Sequence, residues 1–279
     1  MGSYLRPLEL EEALVALAAQ PLTVVAGGTD FYPARVGKAI REDILDVTRV
    51  HTLRGIREEA DSWRIGAATT WTDVIRVPLP DYFQALKLAA REVGGLQIQN
   101  AGTVSGNLCN ASPAADGVPP LIALGAEVEL SSTAGRRQVK LEDFILGNRE
   151  TRRLANELVT AIIIPKWQSG ARSTFLKLGA RKYLLISIVM VAACIEIDGE
   201  GIITRAGISV GACSPVARRL AALEQKLIGK PISPAIANWA QPNNLEQLMP
   251  IADVRSTAEF RLEAALTLLR RALQELASE

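Results

Sequence analysis

Sulfur and imidazole are scarce in this chain of 279 residues: three cysteines, Cys109, Cys194 and Cys213, and one histidine, His51. No CxxC pair occurs, and no cluster could supply the ligands of a structural zinc or an iron–sulfur centre. A disulfide framework is equally out of reach. Redox chemistry, if present, must use an organic carrier. His51 lies in DVTRVHTLRGI, a predicted turn between strands, without histidine or cysteine neighbours, which argues against a catalytic role. Charge of one sign is also missing, with 31 Lys plus Arg against 30 Asp plus Glu. That balance argues against nucleic-acid and membrane-surface binding. Long apolar runs are absent. The nearest, Tyr183 to Ile197, is shorter than the roughly eighteen residues of a membrane span and carries Glu196. The N-terminal MGSYLRPLELEEALVALAAQ has acidic residues where a signal peptide would be apolar, so it reads as an amphipathic helix. A soluble, cytoplasmic protein is expected. No internal repeat or low-complexity tract occurs.

What remains is ordinary globular material, 48% hydrophobic and 22% charged, in a chain long enough for one large domain or two to three smaller ones. Helical spacing marks Leu8 to Ala19, stopped by Pro21, and then Leu22 to Ala26 reads as a buried strand. Asp43 to Val47 and Trp63 to Ala67 read as strands, with the charged REEAD, Arg57 to Asp61, as a hairpin or subdomain junction. Thr70 opens a helical stretch and Tyr82 to Val93 keeps one apolar face. From Ile98 to Leu130 small and polar residues dominate, and this stretch is expected to be a long functional loop. A strand from Glu157 to Ile164 ends at Pro165, and Lys166 to Ser173 is the expected domain boundary. Beyond it come strands at Phe175 to Leu178, Ile186 to Ile197 and Ile202 to Val210. Helices are expected over Ala217 to Ile228 and Ser256 to Leu276, the last with Ser256 and Glu259 as a capping box. Its stripe of Phe260, Ala264, Leu268 and Leu269 reads as core.

Two stretches carry chemistry. VVAGGTDFY, Val24 to Tyr32, leaves a strand through Gly27-Gly28, which suits either a strand-ending turn or a concavity of N–H groups for a phosphate. NAGTVSGNLCNASPAADG adds a second Gly-bearing turn at Thr103, Ser105, Gly106 and Asn107, with Asp116 nine residues on. Backbone N–H and hydroxyl donors suit a pyrophosphate, and an acid suits sugar-like hydroxyls. No GxGxxG is present, so a dinucleotide here would be held by something other than a Rossmann fold.

The ordered set AGGTD at 26–30, QNAGTVSGNLCNASPAADGVPPLIALGA at 99–126 and FLKLGARKYLLISIVMVAA at 175–193 resembles the flavoprotein subunit of molybdenum hydroxylases, nearest the xanthine dehydrogenase branch. The resemblance spans essentially the whole chain. It implies an α+β protein: a two-subdomain FAD-binding domain of the para-cresol methylhydroxylase and vanillyl-alcohol oxidase type over 1–168 (subdomains about 1–57 and 58–168). A small α+β domain with a three-stranded antiparallel sheet follows over 173–279. By motif position, Val25, Ala26, Gly27, Gly28, Thr29 and Asp30 would line the first pyrophosphate turn, and Thr103, Ser105, Gly106 and Asn107 the second. Asp116 would contact the ribityl chain, Val159 would pack on the flavin, and Lys177 would set a positive charge beside it. No residue of this chain is implied to be catalytic.

The implied activity is electron transfer within a molybdenum hydroxylase complex, a xanthine or purine dehydrogenase. FAD, bound non-covalently, takes electrons from two [2Fe-2S] clusters on a small iron–sulfur subunit, fed by a large subunit with the molybdenum cofactor, and passes them to NAD or another acceptor. A dimer of such heterotrimers is implied. Aldehyde, carbon monoxide and N-heterocycle dehydrogenases are the alternative, and a free-standing FAD oxidase a second one. The last would need acid–base residues in a cap domain, and the C-terminal hundred or so residues contain no histidine. Three departures stand out: Ser105 in place of a glycine, Gln99 where arginine is common, and Lys182 in place of a second arginine. Cys109 reads as a small packing residue.

Overall fold

The computed structural model describes residues 2–181 and 186–278. Its N-terminal part is a small parallel sheet covered by one helix. Strand β1 (Tyr4–Leu5) precedes helix α1 (Leu10–Ala19), which ends before Pro21 as expected; β2 (Thr23–Val25) and β3 (Ile44–Asp46) follow. The strand order is β1-β3-β2, and all pairs are parallel. Helix α1 buries Ala13, Leu14 and Leu17 in a cluster with Leu45, Val47 and Leu53. Parallel strands put all their carboxyl ends on one side. Gly27 and Gly28 leave the sheet on that side, directly after β2.

The second part is a five-stranded antiparallel sheet backed by helices. Strands β4 (Ile56–Glu58) and β5 (Ser62–Gly66) form a hairpin around the charged REEAD segment, closed by Glu59 N donating to the Ser62 carbonyl at 2.8 Å. Helices α2 (Trp71–Arg76) and α3 (Gln84–Glu92) come next. The expected long loop is not a loop. It folds into α4 (Leu96–Ala101), α5 (Val104–Asn110), α6 (Val118–Ala123) and β6 (Glu127–Ser132). Thr103 supplies the cap for α5, its Oγ1 accepting the Gly106 N–H at 3.0 Å. Pro119 and Pro120 fall in the first turn of α6, where a missing N–H costs no helical bond. Strand β7 (Gly135–Lys140), helix α7 (Leu141–Phe144), the short pair β8 (Ile145–Gly147) and β9 (Glu150–Thr151), and β10 (Leu158–Pro165) complete this part. The order is β4-β5-β10-β6-β7, so the most apolar strand lies at the centre.

The third part holds β11 (Arg172–Leu178), β12 (Val189–Ile197), β13 (Ile203–Gly211), a two-residue edge strand β14 (Arg218–Arg219), and helices α8 (Ala221–Leu227) and α9 (Ala258–Ser278). The three long strands form the expected antiparallel sheet, and β14 is an addition at its edge. Glu224 explains it. Its carboxylate takes the Arg219 Nε at 2.9 Å and the Ile208 N–H at 2.8 Å, drawing Arg218–Arg219 onto β13, so α8 starts at Ala221 instead of Ala217. Helix α9 is capped by Thr257 rather than Ser256, through the Phe260 N–H at 3.2 Å. Its buried stripe runs through Arg261, Ala265, Leu268 and Leu269, and Phe260 falls beside it, 48% exposed. The Arg261 guanidinium, buried, donates to the Ile188 and Ala212 carbonyls and to Asp253.

The second and third parts share a core: Ala85, Ala89 and Ala123 pack with Phe175, Met190 and Ala192. The Trp167 indole N–H, just after β10, donates to the Leu124 carbonyl at 3.2 Å and fixes the exit from the second part. No helix among the described residues is long and apolar enough to cross a membrane.

Candidate functional site

Gly27 meets the α4–α5 junction face to face. A Cβ at this position would overlap the Ala101 carbonyl, so only glycine lets β2's exit turn lie against that backbone. Gly28 has φ +68°, and its Cα faces the Tyr32 ring edge, where a Cβ would stand 2.5 Å away. The N–H groups of Gly27, Gly28, Thr29 and Asp30 meet no acceptor among the described residues. A fan of free donors in a half-buried turn is a place for an anion.

The second stretch proves to be the first turn of a helix, not a glycine turn. Thr103 pairs with Thr70 in an isolated bridge: Val104 N donates to the Thr69 carbonyl at 3.0 Å, and Trp71 N to the Gly102 carbonyl at 3.2 Å. This ties the start of α5 to the start of α2. Ser105 lies within α5 in ordinary helical backbone, so replacing a glycine costs no strain here. Its Oγ is buried without a hydrogen-bond partner, and so is Asn107 Oδ1. Two buried, unmatched polar atoms on one helical turn are rare in a folded protein and mark a place for a ligand. Gly106 is exposed.

The two stretches form one surface. A Cβ on Gly102 would lie 3.3 Å from Thr29 Oγ1, and one on Gly117 would lie 3.0 Å from Asn107 Oδ1. Next to Gly117, the buried Asp116 accepts from Lys177 Nζ at 2.7 Å and from Ser187 Oγ at 2.6 Å. Lys177 comes from β11, so this ion pair joins the third part of the chain to the second. Burial pushes the Asp116 carboxyl up from its usual range, and the Lys177 ammonium and Ser187 hydroxyl pull it back. A carboxylate has about four acceptor positions, so two stay open for hydroxyl donors. Beside the pair, a cavity of about 460 Å³ opens between α3 and β11, lined by Leu88, Arg91, Glu92, Phe175, Lys177 and Leu178 among others.

Val159 is less directly involved. It is 4% exposed on β10, at a bulge in the pairing with β6, within the main core on which α5 packs. Val25 ends β2 in the core, and Asp30 is exposed. Gln99 turns inward, its Nε2 donating to the Arg91 carbonyl at 3.1 Å, and so faces α3. Lys182 lies outside the described residues. Cys109 is exposed by surface area, yet its surroundings push the thiol up to about 11 through burial. Sequence reasoning missed Ser187 and Gly117. Ser187 is a lone hydroxyl at the head of an apolar strand, and Gly117 follows the acid directly, so both carried a signal.

Comparison with known proteins shows the family. Residues 1–167 match the family described as the FAD binding domain in molybdopterin dehydrogenase, and residues 174–276 the CO dehydrogenase flavoprotein C-terminal domain. The chain is 32% identical to the nicotinate dehydrogenase FAD-subunit of Eubacterium barkeri, covering 94% of this chain and 91% of that one. It is 30% identical to the putative xanthine dehydrogenase FAD-binding subunit of Escherichia coli strain K12, covering 98% and 95%. The reconstituted CO dehydrogenase from Oligotropha carboxidovorans superposes with a TM-score of 0.88 at 28% identity, covering 100% and 98%.

Proposed function

Since the chain belongs to the molybdopterin dehydrogenase FAD-binding family, as an electron-transfer subunit of a molybdenum-hydroxylase-type complex, we propose that its complex acts on an N-heterocycle. The observation that carries this is the 32% identity, over nearly the full length, to a subunit named for nicotinate. Purine is the narrower form of the same reading, favoured by the relative named for xanthine. The relatives' names span nicotinate, xanthine and carbon monoxide, so the substrate belongs to the partner chain rather than to this one.

The residues present suit FAD. The free N–H groups at 27–30 and the unmatched Ser105 hydroxyl would meet the pyrophosphate, while Asn107 Oδ1 and the open positions on Asp116 would accept from the ribityl chain. Bound FAD supplies a carrier that exchanges single electrons and electron pairs, chemistry that side chains do not offer. Lys177, held by Asp116, keeps one ammonium charge at the third part of the chain, beside the cavity of about 460 Å³. Two iron–sulfur clusters and the molybdenum cofactor would lie on partner subunits, with NAD or another compound as acceptor. Val25, Thr103, Gly106 and Val159 complete the set as packing and capping residues. The 1–168 and 173–279 division is proposed with the ion pair of Asp116 and Lys177 across it.

The test is the reconstituted complex, supplied in turn with nicotinate, quinoline, xanthine, glyceraldehyde and carbon monoxide, while flavin absorbance is followed. Bleaching by an N-heterocycle is expected. Bleaching by carbon monoxide or the aldehyde alone would overturn the substrate class. Acid precipitation should release all the flavin, because no side chain of the set is arranged as a covalent tether.

A further inference from the structure

Asp46 closes the carboxyl end of β3 and stands in register with Val25, the last residue of β2 before the glycine turn. It is 5% exposed, and every donor in reach converges on it. Oδ2 accepts from the Tyr4 hydroxyl at 2.6 Å and forms an ion pair with Arg6, whose Nε lies 3.1 Å away; Oδ1 accepts from the Thr48 N–H at 2.8 Å and the Thr48 hydroxyl at 2.6 Å. A buried carboxylate that ties residues 4–6 to the turn after β3 holds the two stretches in one arrangement. The backbone next to it continues the link, because Val47 N donates to the Val25 carbonyl at 3.0 Å.

A second arm reaches the turn from the other side. The Tyr32 N–H donates to the Gly28 carbonyl at 3.1 Å, and the ring edge of Tyr32 lies against Gly28 Cα. The Phe31 ring packs on Tyr32 edge to face at 5.1 Å, with the Arg35 guanidinium stacked 3.8 Å over Phe31 and forked onto Glu42. The Tyr32 hydroxyl is near enough to Tyr4 to help raise its phenol above the ordinary range, although the Asp46 hydrogen bond does most of that. The Gly28 turn is therefore gripped from below through Asp46 and Val25, and from the side through Tyr32.

We propose that Asp46 and Tyr32 are positioning residues for the first glycine turn, keeping the N–H groups of Gly27 to Asp30 aimed at the pyrophosphate of the dinucleotide. Neither side chain need touch the ligand. This rests on the reading of the turn as an FAD site, and it makes a separate demand: the pyrophosphate half should depend on the two residues, and the flavin half should not.

The experiment uses the full chain, with Asp46→Asn, Tyr32→Ala and Tyr32→Phe, titrated with FAD, ADP and FMN by fluorescence and by competition. ADP carries the pyrophosphate and FMN lacks it. Asp46→Asn and Tyr32→Ala should each weaken FAD and ADP about tenfold, the scale of one lost hydrogen bond to a charged group, and leave FMN within about twofold. Tyr32→Phe keeps the ring on Gly28 and should restore most of the ADP affinity. Folded Asp46→Asn and Tyr32→Ala variants with wild-type ADP affinity, or with ADP and FMN weakened together, would overturn the positioning role. A wild-type chain that retains no FAD would instead overturn the reading of the site.

Discussion

Asp116 shows how one side chain can serve packing and ligand at once. Both its oxygens are engaged by Lys177 and Ser187, and the pair is buried, so the carboxylate already stabilises the contact between two parts of the chain. Removing it in Asp116→Ala would leave the Lys177 ammonium buried without its partner, which is costly in itself. Asp116→Asn keeps the shape and some acceptor capacity, and so isolates the charge. FAD affinity is expected to fall about ten- to a hundredfold in Asp116→Ala and less in Asp116→Asn, the range for losing hydrogen bonds to a charged group. Equilibrium dialysis against FAD, with circular dichroism as the folding control, measures it. Unchanged affinity in a folded variant would remove Asp116 from the site. Ser105 makes the opposite point: standing where the family has a glycine, it sits in regular helix and brings an extra hydroxyl.

At the scale of elements, the five-stranded sheet is pinned by a buried polar knot. Arg64 on β5 forks onto Glu129 on β6 at 2.6 and 2.8 Å, and the same carboxylate accepts from Thr160 on β10, between them. The knot requires β5, β10 and β6 to keep one register, which alternation of apolar residues alone would not enforce against a two-residue slip. The Arg64 hydrogen bonds lead in holding the Glu129 carboxyl below its ordinary value, with desolvation opposing them. The sign follows. A carboxyl with a folded value below its unfolded one adds stability above the ordinary glutamate range and loses it as pH falls through the folded value. The resistance of the wild type to urea should therefore fall on acidification below about pH 4, and Glu129→Gln should show a flatter acid slope and lower stability near pH 7. Parallel acid slopes in the two proteins would assign the acid sensitivity elsewhere.

At the scale of the whole molecule, the candidate dinucleotide site draws on several parts of the chain, and no group of three or more His, Cys, Asp or Glu placed to hold a metal occurs among the described residues. Under the proposed function, electrons would reach the flavin from another polypeptide. Expressed alone, the chain should bind FAD and oxidise no N-heterocycle; mixing it with its iron–sulfur and molybdenum partners should restore substrate-dependent flavin bleaching. Anaerobic absorbance at the flavin band, before and after mixing, makes the comparison. Flavin reduction by substrate in the isolated chain would sink the division of labour. The shared core of Ala85, Ala89, Phe175 and Met190 makes the two halves of the chain one packed unit, as an electron carrier with a fixed site requires.

Local sequence determined the helices with clear periodicity and stops, α1 before Pro21 and α3 before Gly94-Gly95, because apolar spacing and helix breakers act within a few residues. It determined the strand that leads into Gly27-Gly28 for the same reason. The ordered motifs also carried the family and its cofactor. Tertiary structure alone decided that residues 98–130 are helices and a strand, since their small, polar residues become helical only when Thr103 caps α5 and α6 packs into the core. It alone turned Phe260 outward and Arg261 inward, because the buried stripe of α9 is set by what the residues flanking β12 and β13 offer it, carbonyls at Ile188 and Ala212. And it alone brought Lys177 to Asp116, sixty-one residues apart, since a contact of that separation depends on how β11 packs against the segment before α6 and leaves no local trace in the chain.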